Sequence, residues 1–395
     1  MSNFNEQKFE NKYKFSEADK QLLVFSKANK DIISSQVTGK PSKLFFDVVK
    51  RFFKNKVAVF SLVILLAIIL TAVISWAVSP NQTDKPISSA SSVLVNELRP
   101  SFQGEIEYSI STEILDKILK TNPTLIKNTP VNIAPDTWMI KANPYEILTE
   151  LSKPENAKPG DVVKPIVAFM GTDSYGRDIW LRAWVGTLNA LGVAFSIAII
   201  ETFIGVVIGS YLGFHVGKKV DTWGVRLIEI FSSIPWVIIF IILIGIFGTS
   251  WFSIIWIFAI TGWTGAASST RQFTIIVKDE EYIYASQAIG ASKLRLIFTH
   301  ILPATAGKLA NSFVLRITAG IQAVAAVAFL GFLKEGVDST PNLGLLITNS
   351  ATLINQNPWA LVFPSLILLV LSLSLRFIAL GFHDALDPKI IKKGA

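Results

Sequence analysis

The chain has 395 residues, of which 51% are hydrophobic and only 17% are charged, and its mean hydropathy is +0.47. Soluble globular chains carry about one quarter charged residues. The apolar residues also gather in blocks of about twenty, which is the length of helix that crosses a bilayer. These figures exclude a soluble multidomain enzyme and indicate a membrane protein.

Six apolar segments are long enough to cross a hydrocarbon layer of about 30 Å. Basic residues crowd the segment 1–56, with twelve Lys/Arg against six Asp/Glu, and they recur at Lys218, Lys219 and near the C-terminus. The positive-inside rule therefore predicts that both termini lie in the cytoplasm. The net charge of +8 then reflects membrane topology, and we expect no nucleic-acid binding. The predicted spans are residues 57–78, 188–214, 224–247, 252–272, 304–331 and 359–382.

The segment between the first two spans has a different composition from the rest of the chain. Residues 80–185 contain eleven Lys/Arg against thirteen Asp/Glu, with many Pro, Asn, Ser and Thr. Ile110, Ile114 and Ile118 predict one helix near 110–119. The segment is either a small domain or largely loosely ordered. The predicted organisation of this all-α membrane protein is a cytoplasmic tail (1–56), a first transmembrane helix (57–78), an extracytoplasmic insertion (79–185), a core with five transmembrane helices (186–383) and a cytoplasmic tail (384–395).

Catalytic and metal chemistry find little support in the residue types. The chain has no cysteine, which excludes disulfides, thiolate metal sites and a cysteine nucleophile. The three histidines, at positions 215, 300 and 383, are far apart in sequence. Neither a Ser/His/Asp set nor a carboxylate pair suggests a reaction centre. We therefore expect no catalytic residue and no metal site.

The loop 273–303, predicted between the fourth and fifth spans, has the features of a docking element. Acidic residues stand where a short helix begins, which the helix dipole favours. Ala285 and Ser286 are small and allow another protein surface to approach. Gly290 lets the chain turn, and Pro303 suits the first turn of the following helix. The loop is predicted to form a helical projection joined to two membrane helices, which can transmit movement.

Three stretches, taken together, resemble one family. Residues 278–303 resemble the cytoplasmic EAA loop of ABC-importer permeases, specifically the C-type subunit of the oligopeptide/dipeptide branch. Gly171-Thr172-Asp173-Ser174-Tyr175-Gly176-Arg177-Asp178 resembles the GTDxxGRD box of that family. Residues 384–389, Asp-Ala-Leu-Asp-Pro-Lys, resemble its C-terminal end. The three stretches cover roughly residues 170–390 in the family's order of spans.

The resemblance implies a subunit with the type I ABC importer permease fold in the cell membrane. Relatives pair with a homologous second permease, two cytoplasmic ATPases and an extracytoplasmic peptide-binding protein. The sequence contains no GxxxxGK[ST] phosphate loop, so no cofactor is expected in this chain, and ATP and Mg²⁺ would be bound by the ATPases. The residues expected to couple the permease to these ATPases are Glu280, Glu281, Tyr284, Ala285, Ser286, Gly290 and Pro303.

Two features depart from the family's pattern. Tyr284 stands where the motif has its leading Glu, and we expect that its hydroxyl or the carboxylate of Glu281 makes the corresponding contact. The insertion before Gly171 is also longer than the resemblance suggests.

The box residues Gly171, Asp173, Gly176, Arg177 and Asp178 are predicted to have a structural role in preference to substrate contact. Asp173 can cap a turn, Gly176 can adopt positive φ, and Arg177 with Asp178 can anchor the start of a helix.

Two charges fall in the middle of predicted spans, where a charge costs about 2.5–3.5 kcal/mol on insertion scales. Glu201 lies in the second span and Arg316 in the fifth, at similar depths. The two residues are predicted either to pair or to line the translocation path separately.

The sequence therefore predicts a permease subunit that imports oligopeptides or dipeptides. One alternative is the same machinery importing another solute, such as nickel chelates. Another, from a different class, is a membrane-anchored receptor with residues 80–185 as its ectodomain.

Overall fold

The computed structural model describes residues 44–88, 92–153, 164–333 and 340–386. The chain divides into two units, residues 1–47 and 48–395. Within the first unit only residues 44–47, the start of a helix, are described. The predicted N-terminal tail before residue 44 and the C-terminal motif after Leu386 lie outside the described residues.

Helices dominate the described residues. Three strands and a few short 3₁₀ and π segments make up the remaining regular structure. The helices are α1 (Leu44–Phe52), α2 (Lys56–Val78), α3 (Ser92–Val95), α4 (Thr112–Thr121), α5 (Pro144–Leu151), α6 (Ile179–Phe214), α7 (Lys219–Ser233), α8 (Trp236–Phe247), α9 (Trp251–Lys278), α10 (Glu281–Ala288), α11 (Lys293–Arg295), α12 (Leu302–Phe329), α13 (Leu343–Ser350) and α14 (Trp359–Leu386). The strands are β1 (Ile106–Ser111), β2 (Val131–Ala134) and β3 (Thr137–Ala142).

Five helical segments within the described residues are long and apolar enough to cross a membrane. They are Lys56–Val78, Ile179–Phe214, Trp251–Lys278, Lys293–Phe329 and Trp359–Ala385. The predicted span 224–247 is instead a pair of helices, α7 and α8, that meet at an angle of 80°. The bend falls at Ile234 and Pro235, because proline has no N–H with which to continue a helix and restricts the residue before it.

The segment between α2 and α6 contains a folded α/β unit, so the prediction of an all-α protein is wrong here. An antiparallel sheet has the strand order β1-β3-β2. The predicted helix 110–119 begins later, at Thr112, because Ile110 still belongs to strand β1, where it pairs with Trp138 of β3. Strand and helix still share one core, in which Ile110, Ile118 and Ile140 are almost completely buried. The near-helical spacing of isoleucines was produced by a strand leading directly into a helix.

The box 171–178 joins this α/β unit to the start of α6. Gly171 and Gly176 have φ of 84° and 72°, a region that favours glycine. Asp173 accepts the backbone N–H of Arg177 at 2.9 Å, and its Oδ2 lies 2.8 Å from the Nε of Arg177. Asp178 accepts the backbone N–H of Trp180 at 3.0 Å and so caps α6. This cap explains why α6 begins nine residues before the predicted span.

The box is also hydrogen-bonded to residues of the α/β unit that precedes it. The Thr172 hydroxyl accepts the N–H of Leu98 at 2.9 Å and donates to the carbonyl of Val95 at 2.6 Å. Asn81, just after α2, donates its amide to Asp178 Oδ2 at 2.8 Å. The arrangement ties α2, the α/β unit and α6 together.

Helices α6 and α9 approach each other through glycine. A Cβ at Gly205 would overlap the Cβ of Ala266, and one at Gly209 would overlap the carbonyl oxygen of Ala267. One turn further, a Cβ at Gly213 would lie 2.7 Å from the Arg271 carbonyl oxygen. Such spacing of glycines every four residues lets membrane helices pack backbone to backbone.

Two larger apolar cores complete the helical part. One joins α2, α6, α12, α13 and α14, and the other joins α6, α8, α9, α12 and α13. The long helices α6 and α12 and the short helix α13 belong to both cores and so join them.

The α6–α9 contact predicts an asymmetry between two glycines of α6. Gly205→Ala should lower the free energy of unfolding by about 1–3 kcal/mol, since the added methyl has no room beside Ala266. Gly192→Ala is the matched control, because a Cβ there meets nothing within 4 Å. The control should leave stability unchanged or raise it by up to about 1 kcal/mol, the helix propensity difference. Thermal unfolding of the purified protein in detergent measures both, and equal effects would contradict the close packing.

The buried ion pair of the box predicts a second difference. The Arg177 side chain is 0% exposed, so Asp173→Asn, which removes the buried ion pair between these two residues, should cost about 3–5 kcal/mol. Asp116→Asn, at an exposed position of α4, should have little effect. Limited proteolysis of the residues between α2 and α6 in isolated membranes gives the readout. Equal cleavage rates for the two variants would contradict this role for Asp173.

Candidate functional site

The two charges predicted within spans lie next to each other in the structure. Arg316 Nη1, on α12, lies 3.2 Å from Glu201 Oε2, on α6. The same nitrogen is 3.5 Å from the carbonyl oxygen of Gly262, on α9. The side chains are 16% and 12% exposed, so each charge is largely removed from solvent and compensated by the other.

Glycines of α9 make room for this pair. A Cβ at Gly262 would overlap the carboxylate of Glu201. A Cβ at Gly265 would contact the Arg316 guanidinium at 3.7–3.8 Å. Because residues three apart lie on one face of a helix, the two glycines form a shallow notch in α9. The ion pair is seated in this notch.

The pair also lies on the wall of a cleft. The structure thus places the two residues in contact, and their role in a translocation path stays a prediction. The cleft has a volume of about 560 Å³ and is bordered by α6, α8, α9 and α12. Besides the two charges, its lining includes the aromatic rings of Trp236 and Phe258 and the amide of Gln322. The box residues 171–178 do not line it.

The loop between α9 and α12 carries the second group of predicted residues. Glu280 lies at the N-cap of α10, and Glu281 is in its first turn. Gly290 follows the helix with φ of 93°, and the N–H of Ala291 is bonded to the carbonyl of Ser286 at 3.1 Å. This is the hydrogen bond of a Schellman motif, for which glycine is the preferred residue.

A single apolar side chain anchors α10. Ile283 is 1% exposed and packs with Leu296 and Ile301 of the segment leading into α12. Phe214, the last residue of α6, and Val277, near the end of α9, complete this cluster. The short helix is therefore attached to the ends of three long helices at once.

The opposite surface of the loop is open. Tyr284 is 54% exposed and Ile289 is 88% exposed, and Ala285 is exposed beside them. The Tyr284 hydroxyl donates to Asp279 Oδ1 at 3.0 Å, and this bond raises the pKa of the phenol. Burial and the nearby Glu280 raise the pKa of Tyr282 in the same helix. Both tyrosines are thus neutral at physiological pH, and Tyr284 cannot supply the negative charge of the family's Glu.

Pro303 lies in the first turn of α12, which follows a π-helical segment, Leu296–Ile301. Because Lys293–Phe329 is one continuous helical segment, Pro303 lies inside it, and its missing N–H coincides with the π-helical turn that precedes it. Among the described residues, no group of three or more His, Asp or Glu side chains could hold a metal ion.

Sequence reasoning missed the residues that shape the cleft. Gly262 and Gly265 were available as a signal, because two glycines three residues apart in an apolar span mark a close approach on one face. Gln322 was also available, since an amide in the middle of an apolar span needs a polar partner. Trp236 and Phe258 carried no such signal, because they are ordinary residues for a membrane helix.

Known families match two parts of the chain. Residues 205–392 match the family described as binding-protein-dependent transport system inner membrane component. Residues 43–92 match the N-terminal TM domain of oligopeptide transport permease C.

Similar proteins cover most of the chain. The oligopeptide transport system permease protein OppC of Mycoplasma pneumoniae is 30% identical over 375 residues, which are 91% of this chain and 94% of that protein. OppC of Bacillus subtilis is 32% identical over 57% of this chain and 72% of its own length. The dipeptide transport system permease protein DppC of Lactococcus lactis is 28% identical over 90% of this chain and 94% of its own length. An alignment covering 91% of the chain includes most of residues 79–185, so long relatives share this segment.

Among solved structures, a chain of the inward-facing MetNI methionine ABC transporter is 20% identical, covers 51% of this chain and 94% of its own length, and has a TM-score of 0.42. That similarity is too low to establish the fold. The sequence matches are sufficient for the family: the chain belongs to the permease proteins of binding-protein-dependent oligopeptide and dipeptide transport systems.

Proposed function

We propose that this chain is one of two permease subunits of an ATP-driven importer of oligopeptides or dipeptides. Its partners are a homologous permease, two cytoplasmic ABC ATPases that bind ATP and Mg²⁺, and an extracytoplasmic peptide-binding protein. Relatives whose names specify oligopeptide or dipeptide transport support a peptide as the solute over a nickel chelate. The observation that carries the proposal is the anchored and outwardly exposed helix α10.

The coupling role follows from how α10 is held. Its inner face is fixed through Ile283 to the ends of α6 and α9 and to the start of α12. Its outer face leaves Ile289 almost fully in solvent, which an ATPase surface would cover. A movement imposed on α10 therefore reaches three membrane helices through one apolar cluster. Such a contact lets ATPase closure change the orientation of the permease subunits.

The membrane arrangement that supports this function has six spans, with the bent pair α7–α8 as the third. Both termini and α10 lie in the cytoplasm, and residues 79–185 lie outside, where they contact the binding protein. Phe60, Leu66 and Leu70 of α2 are more than half exposed, which suits contact with lipid chains. The cleft beside Glu201 and Arg316 lines the translocation path.

A membrane-anchored receptor is the alternative from another class, with the folded α/β unit as its ectodomain. A receptor has no need of a helix that joins three spans and exposes an apolar residue on the opposite side of the membrane. For this reason the permease function is favoured.

The docking role of α10 predicts a selective loss of ATPase binding. Ile289→Asp should reduce the amount of ATPase that co-purifies with the complex by at least about tenfold, as expected where a buried interface residue becomes charged. The fold should not change, because Ile289 is 88% exposed.

Val131→Asp is the matched control, since Val131 is a 55% exposed apolar residue of β2. This variant should retain its ATPases. Full ATPase binding and peptide uptake by Ile289→Asp would contradict the coupling role.

The proposed topology predicts labelling from opposite sides of the membrane. Because the natural chain has no cysteine, a single introduced cysteine can be labelled without background. Asp116→Cys and Gln287→Cys both lie at exposed positions. A membrane-impermeant maleimide should label the first variant in intact cells and the second only after lysis. Labelling of both variants in intact cells, or the reverse pattern, would contradict the proposed orientation.

A further inference from the structure

The cleft beside the ion pair has the size and lining of a ligand site. Its volume of about 560 Å³ lies within the range of about 300–1,000 Å³ that is usual for small-molecule pockets. Trp236 and Phe258 provide apolar surface, and Gln322 and the two charges provide polar groups. Such a mixture binds a ligand with a varied apolar part and a fixed polar end.

Arg316 has hydrogen-bonding capacity that the protein does not use. A guanidinium has five N–H donors. Only Nη1 bonds to atoms of the described residues, namely Glu201 Oε2 and the Gly262 carbonyl oxygen. The Nε and Nη2 donors have no hydrogen-bond partner there, and neither atom belongs to the fully buried polar atoms without a partner. These two nitrogens form the edge that binds a carboxylate with two parallel hydrogen bonds.

Glu201 makes this edge stable while the cleft is empty. An unpaired guanidinium at this depth would be costly, and the Glu201 carboxylate compensates it with one contact at 3.2 Å. One contact is a weaker arrangement than the bidentate pair that Arg271 makes with Asp221 in the same protein, at 2.6 and 2.8 Å. A ligand carboxylate can therefore bind Arg316 without first breaking a two-point ion pair.

We propose that Arg316 binds the C-terminal carboxylate of the peptide in transit, and that Glu201 is the counter-ion of Arg316 when the cleft is empty. This inference rests on the proposed function and specifies which end of the peptide the permease recognises. Every linear peptide has this carboxylate, whatever its sequence. The length of the peptide can vary, because each further residue extends the peptide by about 3.3–3.6 Å away from the recognised end.

The test compares a peptide with its C-terminal amide, which has the same size but lacks the carboxylate. Uptake of each is measured in proteoliposomes that contain the complete complex and its binding protein. Arg316→Gln should lower the ratio of free-acid to amide uptake, relative to the wild-type complex, by about tenfold or more. Because both measurements use the same binding protein, its own preference cancels in the comparison between variants.

Two further variants separate recognition from folding. Glu201→Gln combined with Arg316→Gln leaves no unpaired charge in the membrane and should give the same fall in the ratio. Arg226→Gln, which removes the same charge from an exposed position of α7 that does not line the cleft, should leave the ratio unchanged. Thermal stability of each complex in detergent is measured alongside uptake.

A photoreactive group next to the peptide's C-terminus provides a second readout where the binding protein rejects the amide. It should label this chain in the wild-type complex and at least about tenfold less in the double variant, while a group at the N-terminus shows no such difference. Equal losses of free acid and amide, or equal labelling in both complexes, would overturn the carboxylate site and leave the permease function intact. A wild-type complex that imports another solute and no peptide would overturn the proposed function and this inference together.

Discussion

Helices α6 and α9 lie so close that a methyl group does not fit between them at Gly205 or Gly209. Lipid chains are as apolar as leucine, so membrane helices associate through close packing and polar contacts more than through the hydrophobic effect. The glycines provide that close packing along several turns of α6. The ion pair and the helix α10 both take their positions from these two helices.

Charge placement depends on a further glycine, Gly262 of α9. Glu201 fits on the flank of α9 only because residue 262 has no side chain, and its carboxylate then reaches the guanidinium from α12. Without a counter-charge, either ion would be too costly to keep at this depth. The charged cleft is thus possible because the side chains from α6 and α12 meet α9 at glycine positions.

Sequence reasoning recovered most features that depend on local composition. It placed the long apolar helices, the turn at Gly290 and the pair of opposite charges at similar depth. It did not recover features that depend on contacts between distant segments. The sheet between α2 and α6 was missed because Ile110 and Ile118 have a spacing that fits a helix equally well. The bend at Pro235 was missed because α7 and α8 together have the length and hydropathy of one straight span.

The ends of α6 and α9 connect the two groups of predicted site residues. Phe214 at the end of α6 and Val277 near the end of α9 contact the cluster that holds Ile283. Further along the same two helices lie Glu201 and the notch at Gly262. The glycine contact between α6 and α9 leaves these two helices little freedom to slide past each other. We therefore expect the two helices to move together when α10 is displaced. Arg316 lies on α12, whose preceding segment Leu296–Ile301 packs in the same cluster, and α12 also packs along α6. In the proposed function, a displacement of α10 therefore acts on both partners of the ion pair through one cluster, so that a movement imposed by the ATPases reaches both charges of the cleft.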